Sequence, residues 1–183
     1  MRTVVIGSGS WGTALAQVLQ DNHQEVLVYG VAEAEVNDIN ENHKNSKYFG
    51  DVELNPELKA TTDIQCVKGA DIVLLAVPTI AIDPICHQIN DILDKKTIII
   101  NVSKGFHPET NERMSEVIRR CIDEDKLSSV VSLIGPSHAE EVVIRLLTTI
   151  DAISLNNEDA VTVQNLFSNQ YLRIYTGNDE IGS

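Results

Sequence analysis

Near its N-terminus the chain reads Thr3-Val4-Val5-Ile6, an apolar run of strand length. It passes without a break into Gly7-Ser8-Gly9-Ser10-Trp11-Gly12 and then Thr13-Ala14-Leu15-Ala16. Few folds place a buried strand, a turn with glycines spaced G-x-G-x-x-G and a helix striped by Leu15, Val18 and Leu19 in immediate succession. The glycine spacing alone is common; the flanking strand and helix give it meaning. Gly7 permits the tight turn out of the strand. Gly9 removes a Cβ where a pyrophosphate must approach the backbone, and Gly12 lets the helix lie close to the sheet. The free N–H groups at the helix start, with its dipole, would then face the phosphates. The segment predicts a dinucleotide-binding βα unit.

The remaining chain repeats the alternation. Strand-like runs occupy residues 3–6, 25–29, 71–77, 97–102 and 130–134, with later candidates at 148–155 and 172–175. The first, third and fourth are nearly continuous Val, Ile and Leu, which suits parallel strands covered on both faces. Helical patterns lie at 13–22, 34–42, 79–93, 111–124 and 158–168; in the fourth, Met114, Val117, Ile118 and Cys121 recur at three- and four-residue spacing. The expected fold is α/β, a Rossmann-like doubly wound, mainly parallel sheet with helices on both faces, and residues 1–183 form one dinucleotide-binding domain. Residues 41–60 break the pattern. They are polar, carry Tyr48-Phe49, and read as an irregular insertion on the ligand side of the sheet.

A net charge of −13 argues against a nucleic-acid or anionic-membrane surface, which needs clustered Lys and Arg. It leaves a phosphorylated ligand open, because local amides and one or two lysines outweigh a distant field. Cys66, Cys86 and Cys121 show no C-x-x-C spacing and read as reduced, small apolar residues. No metal site is expected. No apolar run of membrane-spanning length occurs and Met1-Arg2 leads straight into a strand, so the expected setting is cytoplasmic.

Ligands of open α/β sheets bind at loops after strands. After the second strand comes Gly30-Val31-Ala32-Glu33, where Glu33 is a candidate for the ribose hydroxyls and otherwise a first-turn helix acid. No Arg or Lys occurs between Arg2 and Lys44, which leans the cofactor towards NAD while leaving NADP open. At Ala76-Val77-Pro78-Thr79 the proline ends the strand and Thr79 is placed to cap the next helix. Asn101-Val102-Ser103-Lys104-Gly105 puts a lysine just beyond a buried strand, able to bind a phosphate or a substrate oxygen. In Gly135-Pro136-Ser137-His138-Ala139-Glu140, Ser137 and Glu140 have the spacing of a capping box. The same serine at a helix start would also suit a polar ligand. His138 has no evident partner for acid–base work.

Taken in order, GSGSWGTALA, AVP, SKG and GPSHAEE resemble the bacterial-type NAD(P)-dependent glycerol-3-phosphate dehydrogenases, and Lys47-Tyr48-Phe49 and Tyr175-Thr176-Gly177-Asn178-Asp179 look like further segments of that family. The resemblance implies reversible reduction of dihydroxyacetone phosphate to sn-glycerol 3-phosphate, a glycerophospholipid precursor. It implies that Gly7, Gly9, Ser10, Trp11, Gly12, Val31, Tyr48, Lys104 and Ala139 contact NAD or NADP. Lys104, Gly135 and Ser137 would bind the phosphorylated substrate, and a homodimer is compatible with it. Three departures stand out. Val143-Ile144-Arg145-Leu146-Leu147 replaces a stretch with glycine and proline, and no basic residue lies near Val31. The family's proton-transfer lysine belongs to a helical C-terminal domain entered just after an Ile-Gly pair, and the present sequence reaches Ile181-Gly182-Ser183. These residues are therefore expected to be the cofactor-binding half, nearly inactive alone. A stand-alone NAD(P)-binding regulatory module and another β-hydroxyacid-type dehydrogenase are the alternatives.

Overall fold

A computed structural model describes residues 1–182. Eight strands form one sheet: β1 (Arg2–Ile6), β2 (Glu25–Tyr29), β3 (Ala60–Thr61), β4 (Ile72–Leu75), β5 (Thr97–Asn101), β6 (Leu127–Ile134), β7 (Thr148–Ile153) and β8 (Leu172–Gly177). Their order across the sheet is β3-β2-β1-β4-β5-β6-β7-β8. Pairing is parallel everywhere except between β6 and β7. The chain runs outward from β1 to β3 and then crosses back to β4 beside β1. This reversal opens a crevice beyond the carboxyl ends of β1 and β4, where such sheets bind ligands.

The helices are α1 (Ser10–Asp21), α2 (Glu33–Asn37), α3 (Ser46–Phe49), α4 (Thr79–Asn90), α5 (Met114–Cys121), α6 (Ala139–Val143) and α7 (Asn157–Phe167). Side chains alternate across a strand, so the continuous apolar runs feed two cores. Val5, Ile72, Leu74, Ile98 and Ile100 pack with Leu15, Val18, Leu19, Val142, Val163 and Phe167 of α1, α6 and α7. Val4, Ile6, Val73, Leu75 and Ile99 pack with Ile82, Ile89, Val117 and Ile118 of α4 and α5. Cys86 and Cys121 belong to this second core, and burial raises their thiols to about 12 and about 11.

Several expected boundaries move, each for a local reason. The strand expected at 71–77 is the four-residue β4, since Pro78 follows closely and the Val77 carbonyl accepts from Ser103 Oγ at 2.6 Å. The helix expected from 111 starts at Met114, because Asn111 is held at φ 58° in a turn and Glu116 reaches back over the helix start, accepting from the Arg113 backbone N–H at 3.1 Å and from its guanidinium at 2.9 Å. The helix expected at 34–42 is α2 continued by one wide π-turn over Asp38–Asn42, stopped by His43 at φ 55°. The insertion is less irregular than its composition implies: it contains α3 and leads into the edge strand β3. The stretch Val143–Leu147 ends α6 and turns the chain into β7. Arg145 takes φ 62° there, and its guanidinium forks onto Asp21 at 2.9 and 3.0 Å.

Candidate functional site

The glycine loop is built as its spacing requires. Gly7 has φ 117°, and a Cβ there would overlap the Ala76 carbonyl oxygen; a Cβ at Gly12 would overlap the Gly7 carbonyl oxygen. Both glycines are demanded by close packing of α1 and β4 on the turn. Gly9 differs: a Cβ there meets nothing nearer than the Tyr48 ring, at 3.9 Å. No protein atom fills the space a side chain at Gly9 would take. Gly9 is also the N-cap of α1, no side chain caps that end, and its first turn holds no acidic residue. The first N–H groups of the helix thus face open space with the positive end of the dipole behind them. A pyrophosphate matches this arrangement in size, charge and hydrogen-bonding sense.

The insertion closes over the loop through one residue that its sequence did not advertise. Asn45 is buried, and its Nδ2 donates to Ser8 O at 2.7 Å and to Thr13 Oγ1 at 2.9 Å. This bond pair tethers α3 to the start of α1 and sets Tyr48, 39% exposed, beside Gly9.

On the β2 side, Val31 is 85% exposed at the rim. Glu33, the expected ribose acid, is an exposed residue of the first turn of α2. The acid that turns inward is Glu35. Its side chain is 10% exposed, one oxygen accepts from Ser8 Oγ at 2.5 Å, and the other accepts from Lys47 Nζ at 2.9 Å. Glu35 in turn raises the Lys47 ammonium above its ordinary value. A hollow of about 440 Å³ lies beside this pair, between α2 and α3.

Across the crevice, Trp11, Val102, Lys104, Gly135 and Ser137 line one small cleft, so three of the expected loops meet there. Lys104 is exposed, its Nζ lies 3.4 Å from the Gly135 carbonyl, and it also lines a neighbouring cavity of about 380 Å³ with Asn101, Ser103, Arg113 and Glu180. Arg113 is a second cation at that cavity, recognisable only once the turn at Asn111 brings it back towards β5.

Two capping expectations fail. The N-cap of α4 is Pro78, which has no side chain to accept a bond, and Thr79 is the first helical residue. Ser137 and Glu140 form no capping box. A turn closed by Ser137 N–H on Gly135 O at 2.9 Å leaves Ser137 outside the helix, which starts at Ala139 with His138 as N-cap. Ser137 is buried at the cleft, Ala139 is buried behind it, and His138 is exposed. With only five residues, α6 has little dipole to offer a ligand.

Among the described residues one mixed set of donors, Asp83, His87 and Cys121, has ligand atoms within 4.8 Å of one another. Arg120 already serves it, donating to Asp83 Oδ2 and to Glu112 Oε1, each at 3.1 Å. No helix among the described residues is long and apolar enough to cross a membrane.

Residues 2–161 match the family described as NAD-dependent glycerol-3-phosphate dehydrogenase N-terminus. The chain is 46% identical over 183 residues to a glycerol-3-phosphate dehydrogenase [NAD(P)+] of Listeria innocua serovar 6a, covering 100% of this chain and 54% of that protein. It is 45% identical to the enzyme of the same name from Macrococcus caseolyticus, covering 100% of this chain and 55% of that one. The crystal structure of glycerol-3-phosphate dehydrogenase from Coxiella burnetii superposes with a TM-score of 0.90 at 27% identity, over 99% of this chain and 55% of that chain. The chain spans about half the length of the curated relatives it matches. The chain therefore belongs to the NAD-dependent glycerol-3-phosphate dehydrogenase family and corresponds to its N-terminal, NAD-binding part.

Proposed function

We propose that residues 1–183 are the dinucleotide-binding domain of a cytoplasmic glycerol-3-phosphate dehydrogenase, which interconverts dihydroxyacetone phosphate and sn-glycerol 3-phosphate and so feeds glycerophospholipid synthesis. The observation that carries this reading is the position of Lys104. It lines both the cleft containing Trp11 of the glycine loop and the adjoining cavity, so one ammonium faces the cofactor side and the substrate side together.

In this reading the N–H groups of Ser10 and Trp11 hold the pyrophosphate, with Gly7, Gly9 and Gly12 shaping the turn. Tyr48, Val31 and Ala139 flank the dinucleotide. Lys104 binds the substrate oxygens, and Gly135 and Ser137 border it. The bound cofactor supplies or accepts the hydride. No residue of this chain matches the family's proton-transfer lysine, and positioned acid–base groups contribute about 10²–10⁴-fold. Turnover by these residues alone is therefore expected to be nearly absent, while cofactor binding is retained. A homodimer is compatible with the same reading.

Trp11, the only tryptophan of the chain, reports on the site. Titration with NADH and separately with NADPH, followed by Trp11 quenching and energy transfer to the nicotinamide, should saturate with at least one of them. A flat response to both would refute the cofactor site.

A further inference from the structure

We propose that Glu35, acting with Lys47, selects NAD(H) over NADP(H) by refusing a phosphate on the adenosine ribose. This inference rests on the cofactor site proposed above and names its selectivity. A 2′-phosphate adds a charge of about −1.5 to −2 at neutral pH. A site that accepts it must offer a free cation, whereas a site that prefers the bare ribose usually offers a carboxylate near the end of β2.

The hollow beside the end of β2 contains three carboxylates, Glu35, Asp38 and Glu41, and one cation, Lys47. That cation is committed. Lys47 Nζ bonds Glu35 Oε1 at 2.9 Å and lies over the Tyr48 ring at 5.3 Å. Between it and Arg2 the sequence has one other basic residue, Lys44, whose Nζ lies 3.7 Å from Asp51 Oδ1 and which does not line the hollow; Arg2 is held at the amino end of β1, donating to the Cys66 and Lys68 carbonyls. An entering phosphate would meet a net negative hollow whose ammonium already has a partner. Glu35 cannot swing away without cost, because its other oxygen is held by Ser8 Oγ and its side chain is 10% exposed. Ser8 belongs to the glycine loop, and Gly30 packs directly on it: a Cβ at Gly30 would strike the Ser8 side chain. The carboxylate is thus locked between the glycine loop and the strand end, where the adenosine ribose must pass in this fold. Glu33, two residues earlier, has no such anchoring.

The test is a Trp11 titration with NADH and NADPH on the full chain and on three variants, each checked by thermal melting. The wild-type chain should bind NADH at least about tenfold more tightly than NADPH, the scale of one unpaired charge at close range. Glu35→Gln still accepts from Ser8 but releases Lys47, so NADPH affinity should rise by about fivefold or more while NADH affinity holds within about twofold. Lys47→Ala, at an exposed position that folding tolerates, should weaken NADPH further and spare NADH. In the double variant the NADPH gain of Glu35→Gln should vanish, which ties the gain to the released ammonium. A wild-type preference for NADPH, or a ratio unmoved by Glu35→Gln, would overturn the selector alone. Silence of Trp11 towards both dinucleotides would overturn the cofactor site and the selector together.

Discussion

Replacing Gly9 with alanine separates the two reasons for which a glycine stands in the loop. Gly7 and Gly12 are needed by packing, since a Cβ at either would overlap a backbone carbonyl oxygen. At Gly9 a Cβ finds only the Tyr48 ring at 3.9 Å, and its φ of −76° and ψ of −166° suit any L-residue. Two opposed terms then act on stability. Alanine is a poorer N-cap than glycine by about 0.5–1 kcal/mol. Losing a glycine's freedom in the unfolded chain stabilises by about 0.4–1 kcal/mol. They nearly cancel, so Tm should stay within about 3 °C of wild type, at roughly 2–4 °C per kcal/mol for a chain of this size. Binding should respond quite differently. The added methyl stands where the pyrophosphate must approach, and forcing it back from even one charge-assisted bond, worth about 1.5–3 kcal/mol, raises Kd at least about tenfold. Trp11 quenching by NADH, read beside a melt of the same sample, measures both quantities. Gly12→Ala is the control. It must push α1 off the turn at a cost of about 3 kcal/mol, melting about 6–12 °C lower. Undiminished NADH affinity in a folded Gly9→Ala protein would refute the argument that the space at Gly9 belongs to a ligand.

Two stability predictions follow from the packing. Asp21 is opposed by burial, which raises its pKa, but Arg145, Tyr171 and Asn55 donate to it and hold it below the ordinary carboxylate value. Its contribution is therefore present above the unfolded pKa, near pH 4, and is lost as pH falls through the lower folded value. Asp21→Ala should cost about 2 kcal/mol at pH 7, and the Tm gap to wild type should narrow as pH falls below the ordinary carboxylate range; a gap independent of pH would sink this account. Phe167 is fully buried where α7 meets the sheet, so Phe167→Ala should cost about 3–5 kcal/mol and lower Tm by roughly 10 °C, measured by calorimetry. A loss under about 1 kcal/mol would mean that α7 does not pack there as described.

The sequence by itself determined the features that local physics controls. Continuous Val/Ile/Leu runs such as Ile98-Ile99-Ile100 admit only strands covered on both faces, and β5 is buried at all five positions. A strand leading into G-x-G-x-x-G and an amphipathic helix is a local statement about turn geometry, and the loop has that geometry. That the loops of Lys104 and Ser137 reach the same end of the sheet was legible for the same reason, each lying just beyond a readable strand, and the two residues line one cleft. What tertiary structure alone decided are the meetings of residues far apart in the chain. Glu35 reaches Ser8 across 27 positions and Asn45 reaches it across 37. No periodicity in α2 or the insertion marks them above Glu33 or Asn42. The antiparallel turn of β7 against β6 and the two-residue β3 are likewise set by what lies beside them, since β7 alternates like any strand and β3 is too short to carry a pattern. Spacing along a chain reports which face of its own element a residue takes. Which acid turns inward, and which cation it engages, depends on the element packed opposite.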